Sequence, residues 1–332
     1  MGVLFIYNSF NRYIYANRRD PFHLFSILGM KKFIQHSILF SFFALAFYIC
    51  AVFVFGSYTL RNLKPNINFK LGGNTYSRLI EVKKIDSIDI LFLGSSHSYR
   101  GFDTRIFKKN GLNTFNLGSS AQTPIQTQIL LKRYLDRLQP QLIIYEVYPP
   151  TLSIDGVESS LDIISNDKND IYSFQMAIHI NKIRTYNTLL YATTRKLLQL
   201  DNNFSTPKEK EKDLYIKGGF VEKEISYYQP QSIPKNEIIL NETQLKTFVK
   251  TLDIIKKKNI KLLLVYAPIT KSLYRSYTNN TYFDSLMHRS GNYYNFNEMI
   301  NLVDTLHFYD SHHLNQKGVR LFNEKIIKLI DE

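Results

Sequence analysis

Apolar residues along this chain fall into three patterns, each predicting a different element. From Ser37 to Gly56, twenty residues carry no charge and are rich in Phe, Leu, Ala and Val. That run is long enough to cross a bilayer as one helix. A secretory signal has a shorter apolar core, roughly 7–15 residues, so a retained anchor is expected rather than a cleaved leader. After residue 86, short solid apolar runs alternate with stretches of helical period. Ile90-Leu91-Phe92-Leu93, Leu142-Ile143-Ile144-Tyr145-Glu146-Val147 and Lys261-Leu262-Leu263-Leu264-Val265-Tyr266 read as buried strands. Thr114-Phe115-Asn116-Leu117 and Tyr293-Tyr294-Asn295-Phe296 read as shorter ones. Between them, Leu131, Tyr134, Leu135 and Leu138 recur at i, i+3, i+4 and i+7. The same stripe returns at Leu245, Phe248, Val249, Leu252 and Ile255, and again at Val319, Phe322, Ile326 and Ile330. Strands alternating with helices predict an α/β fold, a doubly wound and mostly parallel sheet.

Element boundaries are marked chemically. Thr123 is a fit N-cap, Pro124 takes the first helical position, and Gln126 completes a capping box. Asn241 with Gln244 repeats the signal before the second stripe. The expected order is an N-terminal cytoplasmic segment over 1–36, a transmembrane helix over 37–56, a stalk and lead-in over 57–86, and the α/β domain over 87–332. Residues 150–240 lose the rhythm, with helical period only in pieces such as 183–198. They predict a helical insertion over one end of the sheet, where long excursions shape a pocket.

Charge sharpens the placement. Arg12, Arg18, Arg19, Lys31 and Lys32 precede the apolar run, while Arg61, Lys64 and Lys70 follow at wider spacing. The bias puts the N-terminus inside and the body outside a single-pass membrane anchor. Met30-Lys31-Lys32 also reads as an alternative start. The net charge of +14 comes without any nucleic-acid-binding motif, so nucleic acid is not an expected partner. An anionic membrane surface or an acidic envelope polymer fits that charge. Cys50 is the single cysteine, so no intrachain disulfide and no cysteine metal site can form.

The strand at 90–93 delivers Gly94, Ser95 and Ser96 to the carboxyl edge of the sheet. Ligands of open α/β sheets bind at that edge. Ser96 is the expected nucleophile, and a serine hydroxyl needs a base that a third group orients. Asp310 and His313, three apart just before the last helix, supply that pair. Asp304 and His307 share the spacing; the helix and Gly318 that follow favour the later pair. His312 is expected to cap or face solvent, and His97 to be a loop residue. Ser119 and Ser120 are expected to line the pocket or start the next helix. Arg100 is the expected holder of an anionic or sugar substrate.

Gly94-Ser95-Ser96 resembles the first block of the SGNH (GDSL-like) hydrolases, Asn116-Leu117-Gly118 their second, and Asp310-Ser311-His312-His313 their closing Asp-x-x-His block. The resemblance covers about residues 85–332 and implies a flavodoxin-like α/β/α fold. It further implies Ser96 as nucleophile, His313 as base, Asp310 as its orienter, and the N–H groups of Ser96 and Gly118 in an oxyanion hole. Ester hydrolysis or acyl transfer through an acyl-enzyme follows. Ser95 replaces the usual Asp, as in the D-alanyl-teichoic-acid accessory esterases that also resemble this chain. The third block's oxyanion Asn is missing, since Glu146-Val147-Tyr148-Pro149 stands there. Asn116, Tyr148 and His97 are the candidates to replace it. The substrate class implied is an acylated cell-envelope glycan or another ester, and an acyltransferase would add a transmembrane acyl-donor protein as partner. A weakly active accessory subunit of an envelope-polysaccharide system is the alternative. No Walker loop, Gly-x-Gly-x-x-Gly or His-Glu-x-x-His motif is present, so neither cofactor nor metal is expected.

Overall fold

The computed structural model describes residues 21–57, 74–200, 209–210 and 212–331. The chain divides into two units at residue 57. In the first, the helix Pro21–Ser57 contains a stretch, Gly29–Ser57, long and apolar enough to cross a membrane. It begins well before the expected 37–56 span. The first twenty residues of the N-terminal segment, and most of the expected stalk (58–73), lie outside the described residues. The lead-in ends sooner than expected: Thr75–Val82 is a helix whose Leu79 and Val82 are buried in the core of the second unit.

That second unit is built on five parallel strands. They are β1 (Ile90–Leu93), β2 (Thr114–Asn116), β3 (Leu142–Glu146), β7 (Lys261–Tyr266) and β8 (Tyr293–Asn295), ordered β2-β1-β3-β7-β8. Phe92 stands beside Asn116 of β2 and Ile144 of β3, and Tyr145 beside Leu264 of β7. Successive side chains of a strand point to opposite faces. Leu91, Leu93, Ile143 and Tyr145 therefore pack with the helices Pro124–Leu138 and Glu242–Lys257 on one side. Ile90, Phe92, Leu142 and Ile144 pack with Phe102, Phe107, Val319, Phe322 and Ile326 on the other, against the final helix Gln316–Asp331. Phe92 and Phe102 stack with centroids 4.4 Å apart. The caps form as the residues predict. Gln126 Oε1 accepts from the Thr123 N–H at 3.0 Å, and Asn241 Oδ1 accepts from the N–H groups of Thr243 (2.9 Å) and Gln244 (3.2 Å).

The insertion is not wholly helical. Three helices, Val157–Asn166, Ile171–Ile180 and Ile183–Leu197, are followed by an antiparallel sheet of β4 (Glu209–Lys210), β5 (Asp213–Ile216) and β6 (Phe220–Lys223). That small sheet is fastened beside the first strand's helices. Tyr215 Oη donates to Glu81 at 2.6 Å, the Gly218 N–H donates to the same carboxylate at 2.9 Å, and Thr104 Oγ1 donates to the Lys217 carbonyl at 2.8 Å.

Candidate active site

The strand order makes the β1/β3 boundary the point where connections leave in opposite directions, the switch point at which doubly wound sheets bind ligands. Ser96 sits there, directly after β1. Gly94 permits the turn: its φ of +132° disfavours a side chain, and a Cβ would lie 2.6 Å from Glu146 Oε2. Ser95 then caps the short helix Ser96–Gly101, its Oγ accepting from the His97 N–H at 3.2 Å. Ser96 thus heads a helix, and its own N–H lies in the turn that lacks intrahelical acceptors.

From the far end of the chain, an antiparallel bridge between Phe308 and Leu314 pinches residues 309–313 into a loop, with the Tyr309 N–H donating to the His313 carbonyl at 3.1 Å. Inside it, Asp310 Oδ1 accepts from the N–H groups of His312 (2.9 Å) and His313 (2.7 Å). Its other oxygen, Oδ2, lies 2.8 Å from His313 Nδ1, and His313 Nε2 lies 2.8 Å from Ser96 Oγ. Burial pushes the Asp310 carboxyl up, but the hydrogen bond from His313 and the nearby imidazoles outweigh it and hold it well below the usual range. A carboxylate that stays ionised fixes the imidazole with one nitrogen toward Asp310 and the other toward the hydroxyl. Such an array can take a proton from the serine as it attacks a carbonyl.

The remaining expected residues are placed differently. Gly118 is buried, and its N–H donates to Asn116 Oδ1 at 2.9 Å. Asn116 also accepts from Ser98 Oγ at 3.1 Å and donates Nδ2 to the Ser98 carbonyl at 2.8 Å. The Gly118 N–H is thus taken by Asn116, whose amide in turn braces the nucleophile helix at Ser98. Arg100 lines the cleft beside Ser96, with its guanidinium held in a two-pronged pair by Asp213 of β5, at 3.0 and 2.6 Å. Ser119 is buried against Gln122 and Ser159, while Ser120 reaches the cleft. His312 lines the cleft with its side chain 36% exposed and its centroid 4.0 Å from that of His313, and burial followed by His313 pushes it down to about 4.

His97 is not an idle loop residue. Its ring is buried with the centroid 4.1 Å from Tyr148 and 4.9 Å from His313. Nδ1 lies 3.1 Å from Ser95 Oγ, and Nε2 is buried without a hydrogen bond of normal geometry, the His312 backbone being only a weak neighbour. Burial, then the charges of His313 and His312, hold His97 well below its usual range, so it is neutral. Tyr148 turns its hydroxyl toward Tyr277, 3.4 Å away.

Glu146 was the residue most open to discovery, since a carboxyl closing an apolar strand is itself a signal. It is buried beneath the nucleophile turn, with Oε2 accepting from both the N–H and the Oγ of Ser95 at 2.8 Å. Burial pushes it up to about 7 against those bonds.

Ser96, His97, Tyr148, His312 and His313 open on a cleft of about 450 Å³, with Lys223 and Tyr309 on its rim. A larger cavity of about 610 Å³, lined by Val249, Leu252, Asp253, Lys256, Arg289 and Ser290, has a hydroxyl and a carboxylate but no imidazole, so size does not mark the site. Ligand atoms of Asp310, His312 and His313 lie within 4.8 Å of one another, near enough for a metal ion. An ion held by His313 would displace a bond to Asp310 or to Ser96.

Sheet order and site together define a doubly wound α/β protein with a hydroxyl–imidazole–carboxylate array at its switch point. No family model and no curated protein matches the chain. Among solved structures it is similar to a provisionally assigned acylhydrolase from Bacteroides fragilis NCTC 9343, at 10% identity and a TM-score of 0.39, covering 78% of this chain and 96% of that one. It is also similar to a GDSL-like lipase from Bacteroides thetaiotaomicron VPI-5482, at 11% identity and a TM-score of 0.37, covering 78% and 98%.

Proposed function

We propose that the chain is a membrane-anchored, extracytoplasmic serine esterase or O-acyltransferase of SGNH type, acting on acyl esters of cell-envelope glycan. The observation that carries this reading is the continuous chain Asp310–His313–Ser96, with 2.8 Å at each link. Ser96 Oγ attacks the acyl carbonyl as His313 Nε2 takes its proton, and Asp310 stabilises the imidazolium. The proton passes to the leaving alkoxide, and an acyl-enzyme remains. Water or a sugar hydroxyl, deprotonated by His313, then releases Ser96. The anchor draws on Gly29–Ser57, and the outward body on the five Lys and Arg (Arg12, Arg18, Arg19, Lys31, Lys32) before the uncharged run Ser37–Gly56 against Arg61, Lys64 and Lys70 after it.

His97 takes the place of the missing oxyanion Asn in this reading. The Ser95 hydroxyl has one proton. When it goes to an ionised Glu146, His97 Nδ1 must donate to Ser95 and Nε2 is a bare acceptor. When Glu146 is protonated and donates to Ser95, Ser95 can donate to Nδ1, and Nε2 carries the imidazole proton as a donor. Glu146, titrating near neutrality, sets the tautomer of His97.

The competing reading, a weakly active accessory subunit of a polysaccharide-modification system, draws on the Gly118 N–H being tied to Asn116. Acetate release from an O-acetylated polysaccharide, with and without an acceptor glycan, separates the two. Release or transfer that vanishes in Ser96→Ala supports the enzyme; equal, background rates in both proteins support the accessory role.

A further inference from the structure

The helical part of the insertion turns an apolar face outward. On Ile171–Ile180, the buried side is Ser173, Met176, Ala177 and Ile180, while Ile171 (61% exposed), Phe174 (53%) and Ile178 stand in solvent. Their i, i+3, i+7 spacing puts them on one stripe. On Ile183–Leu197, Thr185, Thr188, Tyr191 and Ala192 are buried, while Ile183 (67%), Tyr186 and Leu197 (80%) are exposed at i, i+3 and i+14. The two helices are joined by only Asn181 and Lys182 and pack on each other, so the stripes belong to one hairpin. A globular surface seldom leaves such large apolar side chains adjacent without something to cover them.

Charge says what covers them. From Ile171 to Leu200 there is no Asp or Glu, and the exposed Lys182 and Lys196 flank the stripe, while Arg184 and Arg195 lie toward the buried side of their helix. An apolar stripe edged by cations is the pattern of a helix that lies in the headgroup region of an anionic bilayer. A protein partner covering the stripe would have to offer its own carboxylates to these cations, and a second copy of this basic hairpin would bring like charges together. The chain also carries Gly29–Ser57, long and apolar enough to span a membrane, and sixteen residues (58–73) follow that helix before the body begins. Fully extended, they reach at most about 55 Å.

We propose that the helical hairpin 171–200 is a membrane-surface docking face, seating its apolar stripe among anionic lipid headgroups. It is a contact additional to the anchor and does not depend on the chemistry of Ser96.

The chain contains no Trp, so one introduced indole reports alone. The full-length protein is reconstituted into vesicles of phosphatidylcholine and phosphatidylglycerol, part of the acyl chains brominated. Phe174→Trp is compared with Tyr282→Trp, a half-exposed position on the separate helix Asn280–Ser290. The Phe174→Trp protein is expected to be quenched by brominated lipid at least about threefold more than the control, in keeping with burial below the headgroups. Combining it with Lys182→Glu and Lys196→Glu should bring quenching down to the control. Equal quenching at the two positions overturns the proposal. So does an indole shielded from aqueous iodide yet untouched by brominated lipid, which would mean a protein covers the face. Strong quenching that survives the two charge reversals overturns the part assigned to lipid charge.

Discussion

Two Asp-x-x-His segments lie six residues apart, Asp304/His307 and Asp310/His313, identical in spacing and opposite in use. In the first, Asp304 accepts from the Lys271 N–H at 2.8 Å and from Ser272 Oγ at 3.0 Å, bracing the start of the helix Lys271–Ser276. Its His307 turns Nδ1 back to accept from the Val303 N–H at 2.9 Å. Neither partner is left for chemistry. In the second, the Phe308–Leu314 bridge bends the chain so that carboxylate meets imidazole, and the imidazole's other nitrogen meets Ser96. The spacing is cheap; the backbone around it and the group beyond it decide.

The comparison is broken most severely by removing the second pair. Ser96→Ala or His313→Ala should lower kcat by about 10⁴-fold or more, and Asp310→Asn by about 10³–10⁴, with the three losses failing to add. His307→Ala should leave turnover near wild type, and Asp304→Asn should instead cost about 1 kcal/mol of stability through its helix-start bonds. Steady-state kinetics and thermal melts on the same preparations read both. A large kinetic loss at His307 would mean the segments were wrongly told apart.

A smaller effect tests the histidine beside the array. His97→Ala should lower kcat by about 10²–10³ while leaving KM little changed, the signature of a donor that acts on the transition state. A change confined to KM would assign His97 to ground-state binding.

The smallest effect lies in stability. Glu146 is raised from 4.5 to about 7 in the fold. The native state therefore holds a proton that the unfolded chain has released, and stability falls as pH rises between those values. Glu146→Gln has no such titration. Relative to wild type it should gain on the order of 1–3 kcal/mol between pH 4.5 and pH 8, by the linkage of. Paired melting temperatures across that range check it, and a difference independent of pH would contradict it.

The parallel sheet was legible because its strands are buried on both faces and read as solid apolar runs, and because capping residues mark the helices between them. The antiparallel strands β5 and β6 were not. They are four residues each, half-exposed in part, and set among polar residues. The positions of Ser96, Asp310 and His313 were legible from strand-end and turn patterns. What surrounds them was not, because it depends on contacts made far along the chain. Asp213 claims Arg100 from 113 residues away, and Glu146 reaches Ser95 from 51. Gly118 is the local exception, its N–H taken by Asn116 only two residues back.

The central claim is that Ser96 is activated by His313 and not by any other histidine. It is tested most directly by treating the full-length protein with a fluorophosphonate and mapping the labelled peptide. Label on Ser96 in wild type and in His307→Ala, and its loss in His313→Ala, is the predicted result. Folded wild-type protein that takes no label, or label on Ser96 that persists in His313→Ala, would contradict it.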